Sequence, residues 1–202
     1  MNILIVPTIR EYYKDQFEYN VDLRLINFLK ECFKNSIITI YNDSLYNKKF
    51  DLTVFSGGNS IKYKNKSDKL RQKIDNKIYL DCISKKTKIL GICHGAQFIA
   101  EKFNFTFKKS KNHVGNHKVN FYFKNKYFNF KCNSYHNLVM KKKIDDSINC
   151  FGLAHDKTIE AYHIKSKKIL GIIWHPERYS KYRIFDKKLI RKFYATNSIS
   201  SW

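Results

Sequence analysis

Short apolar runs alternate with amphipathic segments along the first half of the chain. The apolar runs have the length of strands and span 2–6, 37–41, 52–55 and 89–92. The segments between them carry apolar residues at helical spacing, which predicts helices over 19–34, 66–84 and 96–103. In the second of these helices, Leu70, Ile74 and Ile78 are expected to face inward. Strands that alternate with helices predict a parallel sheet with right-handed crossovers.

The pattern changes after residue 103. Strand-like segments then follow one another over 118–123, 128–132, 150–154, 158–163 and 169–174, before a last helix over 187–194. This order predicts that an antiparallel extension continues the parallel sheet. No segment has the composition of a linker or a repeat, so residues 1–202 are expected to form one α/β domain. Ligands of such sheets bind beyond the carboxyl ends of the strands, which places the chemistry just after Phe55, Ile92 and Trp174.

Composition narrows the class of protein. Hydrophobic residues make up 43% of the 202 residues and aromatic residues 16%, which excludes disorder as the main state. No apolar run reaches the roughly 18 residues of a transmembrane helix. The first seven residues lack the basic region and the apolar core of a signal peptide. Five cysteines, an odd number without metal-site spacing, favour a reduced, cytoplasmic protein and give no sign of a metal site.

The chain is strongly basic, with 39 basic and 17 acidic residues and a net charge of +22. Such an excess can attract nucleic acid, a membrane or a phosphorylated ligand. The lysines are spread from Lys14 to Lys192 among many Asn, Ile, Tyr and Phe residues, a bias that an AT-rich genome produces without a functional cause. Aromatic residues alternate with lysines over 121–128, but a hairpin with one apolar face explains that pattern better than base stacking. We therefore expect no nucleic-acid or membrane partner. Attraction of an anionic small-molecule ligand remains an alternative explanation of the charge.

A candidate nucleophile follows the strand at 89–92. The residues Gly91-Ile92-Cys93-His94-Gly95 stand between a buried strand and a helix, which is the nucleophile-elbow pattern with cysteine as its central residue. The flanking glycines leave room for the neighbouring backbone, and the sharp turn lifts the sulfur clear of the sheet. The amino end of the following helix favours a thiolate. The amide of His94 is then free to donate to an oxyanion.

A cysteine nucleophile needs a base and a group that orients the base. His175 ends the last apolar strand and Glu177 lies two residues further on, so both side chains project to the same side of an extended segment. Pro176 favours the extended geometry at His175. Glu177 is therefore expected to accept from one imidazole nitrogen while the other faces Cys93. The other histidines lack such support, and most of them are expected to be structural or exposed.

An anion-stabilising turn is predicted at the end of the strand 52–55. The residues Ser56-Gly57-Gly58-Asn59 follow this strand directly. Paired glycines allow backbone N–H groups to approach a ligand oxygen closely. Together with the elbow, this turn is expected to stabilise the negative charge of a tetrahedral intermediate.

Four motifs together resemble a known family. They are S-G-G-N at 56–59, G-I-C-H-G-A-Q at 91–97, N-S-Y-H-N at 133–137 and W-H-P-E-R at 174–178. In this order they resemble the class I (triad) glutamine amidotransferase superfamily, and within it the γ-glutamyl hydrolase branch. The resemblance covers nearly the whole chain and implies a flavodoxin-like fold. It also implies a triad of Cys93, His175 and Glu177, and an oxyanion hole from the backbone of Gly58 and His94.

The resemblance further implies which residues recognise the γ-glutamyl group of a small-molecule substrate. These residues are Gly57, Gln97, Ser134, Tyr135 and His136. An amide side chain and an extended backbone segment suit an α-carboxylate and an α-ammonium group. The chain departs from the pattern at His94, where many relatives carry Arg or a small apolar residue, and at Ala96, where many carry Met. Both departures fall on the leaving-group side of the expected pocket.

Two functions fit this resemblance. The first is a hydrolase that cleaves a γ-glutamyl amide without metal or organic cofactor, and the motifs at 133–137 and 156–161 favour it. The second is a glutaminase component that supplies ammonia to a partner synthase. A narrower expectation within the first function is cleavage of γ-glutamyl-CDP-amidate to glutamate and cytidine diphosphoramidate in bacterial capsule synthesis. Its diphosphate would suit basic residues near the site, with Lys62, Lys64, Lys66 and the stretch 108–118 as candidates.

Overall fold

The computed structural model describes residues 1–45, 48–110, 113–123, 126–141 and 147–199. Five parallel strands form the centre of its large sheet in the spatial order β4-β1-β5-β6-β13. Their bounds are Asn2–Val6 for β1, Ile37–Ile40 for β4, Leu52–Phe55 for β5, Lys88–Ile92 for β6 and Ile169–Ile172 for β13. The carboxyl ends of β5, β6 and β13 meet at one edge of the sheet, since Phe55 pairs with Gly91 and Ile172 with Ile92.

Antiparallel strands extend this sheet beyond β13 in the order β12-β11-β8-β9. These strands are β12 at Ile159–Ile164, β11 at Asn149–Ala154, β8 at His117–Phe123 and β9 at Lys126–Cys132. Strand β10, Leu138–Lys141, pairs with β12 and with β7, Thr106–Lys109. The predicted α/β class, with a parallel centre and an antiparallel extension, is confirmed. Phe121 of β8 pairs with Phe128 of β9, so the aromatic stretch forms the expected hairpin.

Four helices cover the two faces of the sheet, because the parallel strands are apolar on both sides. They are α1 at Leu23–Cys32, α2 at Lys66–Ser84, α3 at His94–Glu101 and α4 at Ile184–Thr196. Ile3 and Ile5 of β1 pack with α1 and α4, whereas Leu4 and Val6 pack in the core formed with α2 and α3. Among the described residues, no helix has both the length and the apolar character needed to cross a membrane.

Several predicted elements differ from the structure. The helix expected over 19–34 begins at Leu23, because the side chain of Asp22 caps it by accepting from the N–H of Arg24 at 2.9 Å. Residues 8–20 instead form an antiparallel hairpin, with β2 at Thr8–Tyr13 and β3 at Gln16–Asn20. Strand β2 lacks a regular alternation of apolar and polar residues and β3 alternates over only five residues, so the hydrophobic pattern gave too weak a signal for a hairpin. The strand expected over 169–174 ends at Ile172.

The inward face of α2 was only partly predicted. Ile78 is buried as expected, but Leu70 and Ile74 are half-buried at the sides of the helix. The innermost positions belong to Arg71 and Asp75, which are both fully buried. The spacing of apolar residues does not predict a charged pair at the core-facing positions.

Candidate active site

Cys93 lies between the end of β6 at Ile92 and the start of α3 at His94. Its backbone is strained, with φ of 49° and ψ of −105°, a conformation that L-residues rarely adopt. The turn has no space for side chains on either flank. A Cβ at Gly95 would lie 2.2 Å from the carbonyl oxygen of Phe55, and one at Gly91 would lie 2.7 Å from the backbone nitrogen of Ala96. This geometry is that of a nucleophile elbow, as the spacing of the glycines predicts.

The imidazole of His175 lies between Cys93 and Glu177. Its Nδ1 is 2.6 Å from Oε1 of Glu177, and the ring also interacts electrostatically with the Cys93 side chain. Burial by itself lowers the pKa of His175, but the hydrogen bonds and charges of Cys93 and Glu177 outweigh burial and raise this pKa to about 9. The arrangement therefore favours an imidazolium beside the sulfur at neutral pH.

Asn133 fixes the backbone of His175 from the neighbouring segment. Its side-chain Nδ2 donates to the carbonyl of His175 at 2.8 Å, and its Oδ1 accepts from the N–H of His175 at 2.8 Å. Asn133 is buried. The sequence motif at 133–137 contains Asn133, but sequence reasoning did not identify it as a site residue because nothing in the motif indicates which backbone it would contact.

The turn after β5 lies against both the nucleophile and the base. A Cβ at Gly57 would lie 2.4 Å from Cε1 of His175, so only glycine allows the imidazole to approach this closely. Gly58 has a φ of +116°, in the region that favours glycine. As the first residue of α3, His94 has no acceptor within the helix for its N–H. Gly58 and Cys93 line the same pocket.

This Cys93 pocket holds most of the predicted substrate-binding residues. Its lining includes Cys93, Gly58, Gln97, Tyr135, His136 and Leu138. Gln97 is buried and donates from Nε2 to the carbonyl of Leu138 at 3.0 Å. Tyr135 packs edge-on against the ring of His175, with 5.4 Å between ring centroids. The guanidinium of Arg178 also contacts Tyr135, at 4.6 Å from the centroid of its ring.

Several other predicted residues lie outside the Cys93 pocket. The buried hydroxyl of Ser134 donates to the carbonyl of His113. Lys62 and Lys64 do not line the pocket, and exposed Lys66 pairs with Asp15. Among the described residues, the lining of the pocket contains no lysine. The stretch 108–118 contributes Val114 to the lining, while residues 111 and 112 of this stretch lie outside the described residues.

Arg71, Asp75 and His94 form a buried ion network that contacts the backbone of the glycine turn at 56–59. Asp75 Oδ1 accepts from Nε of Arg71 at 2.7 Å, and its Oδ2 lies 2.9 Å from Nε2 of His94. The other ring nitrogen of His94 lies 3.1 Å from the carbonyl of Asn59. Burial alone raises the pKa of Asp75, but the charge of Arg71 and the hydrogen bond with His94 lower it overall. The His94 side chain therefore ties the residue after Cys93 to the turn at 56–59.

Three other buried cysteines differ from Cys93 in their surroundings. Burial raises the pKa of each thiol to about 12, and these residues are Cys32, Cys82 and Cys132. At neutral pH such thiols stay protonated and unreactive. They therefore behave as core residues, as expected for cysteines outside the elbow.

Comparisons with known proteins identify the family of this chain. The family model described as "Glutamine amidotransferase class-I" matches residues 11–196. This chain belongs to the class I glutamine amidotransferase family. A relative from Campylobacter jejuni, named gamma-glutamyl-CDP-amidate hydrolase, is 36% identical over 157 residues, which are 75% of this chain and 76% of the relative.

Solved structures of other amidotransferase-type proteins share the fold. A protein from Thermoplasma acidophilum, described as belonging to a GMP synthase, superposes with a TM-score of 0.69 at 20% identity, covering 96% of this chain and 92% of that one. A glutamine amidotransferase from Thermotoga maritima gives a TM-score of 0.65 at 16% identity, covering 95% and 81%. At these identities the likeness supports the flavodoxin-like architecture of the family and no more.

Proposed function

We propose that this protein is a cysteine-dependent hydrolase of a γ-glutamyl amide. Membership of the family and the relative's name together support an enzyme that hydrolyses amide bonds. The observation that carries the cysteine mechanism is the position of Cys93, which is strained at the elbow and interacts electrostatically with the imidazole that Glu177 contacts at 2.6 Å. In this proposal Cys93, His175 and Glu177 are the catalytic triad.

The first step is transfer of the γ-glutamyl group to the enzyme. The Cys93 thiolate attacks the γ-carbonyl carbon, and a C–S bond forms as the carbonyl oxygen becomes an oxyanion. The backbone N–H groups of Gly58 and His94 stabilise this charge. The C–N bond then breaks, and the imidazolium of His175 gives its proton to the leaving nitrogen. The products of this step are a γ-glutamyl thioester and the released amine or amidate.

The second step returns the enzyme to its starting state. His175, now neutral, removes a proton from water, and the resulting hydroxide attacks the thioester carbonyl. The C–S bond breaks, glutamate leaves and Cys93 is again a thiolate beside an imidazolium. Glu177 holds the ring orientation in both steps, which is the role of the acid in other triads. Gly57, Gln97, Ser134, Tyr135 and His136 are the residues proposed to surround the γ-glutamyl group, Ser134 through its backbone.

The proposed substrate is γ-glutamyl-CDP-amidate, which yields glutamate and cytidine diphosphoramidate. This choice follows the name of the 36% identical relative, and capsule synthesis is the process proposed for it. The net charge of +22 is compatible with a diphosphate leaving group. The alternative, a component that supplies ammonia from glutamine to a synthase, fits the same triad and is distinguished by the substrate.

A competition experiment tests the substrate. Purified protein is incubated with equal concentrations of glutamine and γ-glutamyl-CDP-amidate, and glutamate, ammonia and cytidine diphosphoramidate are measured over time. We expect a higher kcat/KM for the amidate, with no ammonia released from it. A preference for glutamine, especially one that a partner protein increases, would overturn the hydrolase and support the ammonia supplier. The Cys93→Ala variant is the control for uncatalysed cleavage.

A further inference from the structure

Three histidines surround one buried carboxylate beside the Cys93 pocket. Glu160 lies in β12 and is 1% exposed. His113 precedes β8, His117 begins β8, and His136 lies between β9 and β10. Their side chains are 0%, 8% and 4% exposed. We call His113, His117, His136 and Glu160 the histidine cluster.

The four side chains point their polar atoms at one another. Nδ1 of His113 and Nε2 of His117 each lie 3.2 Å from Oε1 of Glu160. Nε2 of His136 lies 3.6 Å from Oε2 of the same carboxylate. The ligand atoms of His113, His117 and Glu160 all lie within 4.8 Å of one another. Ligands placed about 2.0–2.1 Å from a tetrahedral zinc ion are separated by roughly 3.3 Å, which is close to the distances of 3.2 Å and 3.6 Å between the histidine nitrogens and Glu160.

The outer nitrogens of two histidines are already held by acceptors. Nε2 of His113 faces Oδ2 of Asp156 at 3.1 Å, and Nδ1 of His136 faces the carbonyl of Leu138 at 2.9 Å. Each outer nitrogen must donate, so the inner nitrogen of each ring is the atom available to bind a metal once it has lost its proton. A carboxylate beyond the far nitrogen is the usual partner of a metal-ligating histidine.

Several inner atoms of the cluster lack a hydrogen-bond partner. Among the described residues, both ring nitrogens of His117, Nε2 of His136 and Oε2 of Glu160 are buried without a hydrogen-bond partner. Leaving such polar atoms unsatisfied in the interior is costly. A cation at the centre of the cluster would remove this penalty.

We propose that the histidine cluster binds one divalent transition-metal ion of the zinc type, with His113, His117, His136 and Glu160 as ligands. Imidazole and carboxylate are ligands that zinc accepts, and the spacing of His113 and His117 matches the His-x₃₋₅-His pattern of zinc sites. Four protein ligands leave no open position, so the metal is structural and takes no part in the reaction. The cysteine count, which argued against a metal site, does not bear on a site without cysteine.

The metal would clamp the segment 113–117 to the segment 134–136. Two contacts already join them, since Ser134 donates to the carbonyl of His113 and the N–H of Gly115 donates to the carbonyl of Ser134 at 2.9 Å. Tyr135 and His136 line the pocket that contains Cys93. A metal-bound His136 would therefore hold this wall of the pocket in place. The proposal does not depend on the hydrolase assignment, because metal binding is measured without turnover.

Cobalt titration of the full-length protein tests the site. The protein is treated with a chelator, dialysed and titrated with Co²⁺, whose visible absorption reports tetrahedral coordination. We expect saturation at one equivalent, displacement of Co²⁺ by Zn²⁺, and a rise in Tm of roughly 5–10 °C at about 100 Kd of Zn²⁺. An absence of Co²⁺ bands together with an unchanged Tm would overturn the proposal. It would indicate that protons on the histidines, and not a metal ion, neutralise the charge of Glu160.

Variants separate this site from adventitious binding. Asp156→Asn removes the charge of the outer partner of His113, whose other oxygen accepts from Thr158, and we expect it to weaken Co²⁺ binding about 10–100-fold. His117→Gln removes a ligand and should weaken binding further. His163→Gln is the matched control, because His163 is a buried histidine on the same strand as Glu160 but outside the cluster. Equal Co²⁺ affinity in all three variants would refute the ligand assignment.

Discussion

The substitution Asp75→Asn tests whether the buried ion network maintains the site. Asp75 and Arg71 have fully buried side chains joined at 2.7 Å, so removing the negative charge leaves the guanidinium uncompensated in the interior. Loss of one partner from a buried ion pair costs about 3–5 kcal/mol in the free energy of unfolding. In a chain of this size, that loss corresponds to a fall in Tm of roughly 6–20 °C. We also expect kcat to fall, because His94 Nε2 loses its carboxylate partner and the turn at 56–59 loses part of its support.

The assay is thermal unfolding followed by circular dichroism at pH 7. The control is Asp81→Asn, which removes the acid of a second pair on α2, Asp81–Lys85 at 2.8 Å, whose side chains are 36% and 28% exposed. A solvent-accessible pair of this type contributes about 0.3–0.5 kcal/mol, so this Tm should barely change. Because the folded-state pKa of Asp75 is lowered, its contribution is present above the unfolded pKa of about 3.9 and is lost as pH falls through the lower folded value. Equal Tm shifts in the two variants would refute the reasoning.

Two further predictions concern the triad. Because the pKa of His175 is raised to about 9, its imidazolium is lost as pH rises through that value, and kcat/KM should fall above about pH 9. Glu177→Gln should move this fall in kcat/KM to lower pH. A fall at an unchanged pH would contradict the role of Glu177. Iodoacetamide at pH 7 should alkylate Cys93 first, as peptide mapping would show, and substrate should protect it. Earlier labelling of any of the other buried thiols would contradict the assignment of Cys93 as the nucleophile. Those thiols are Cys32, Cys82 and Cys132.

The parallel half of the fold could be predicted because each of its strands is an apolar run closed by a turn. Leu52–Phe55 and Lys66–Ser84 have the bounds that the pattern indicates. The hairpin at 8–20 could not be found, since its turn uses Asp15 at a φ of 59° and no glycine. Strands β7 and β10 were also missed, because each has only four residues and depends on a partner far along the chain.

The candidate site was predictable where local geometry demands particular residues. The glycines around Cys93 and the spacing of His175 and Glu177 restrict the backbone by themselves. Arg71 and Asp75 could not be recognised, because their burial depends on how α2 packs on the sheet. The histidine cluster was missed for a similar reason: Glu160 is 47 residues from His113 along the chain, and only the pairing of β8, β11 and β12 brings the two residues together.

The central claim is that a γ-glutamyl thioester forms on Cys93, and trapping with hydroxylamine tests it most directly. Protein turning over γ-glutamyl-CDP-amidate is supplied with increasing hydroxylamine, and γ-glutamyl hydroxamate and glutamate are measured, with intact mass analysis of acid-quenched enzyme in parallel. We predict that hydroxamate replaces glutamate while total turnover stays constant, and that any acyl adduct maps to Cys93. Cys93→Ser should lose turnover by orders of magnitude and keep its fold. Near-wild-type activity in Cys93→Ser, or an adduct on another residue, would contradict the account.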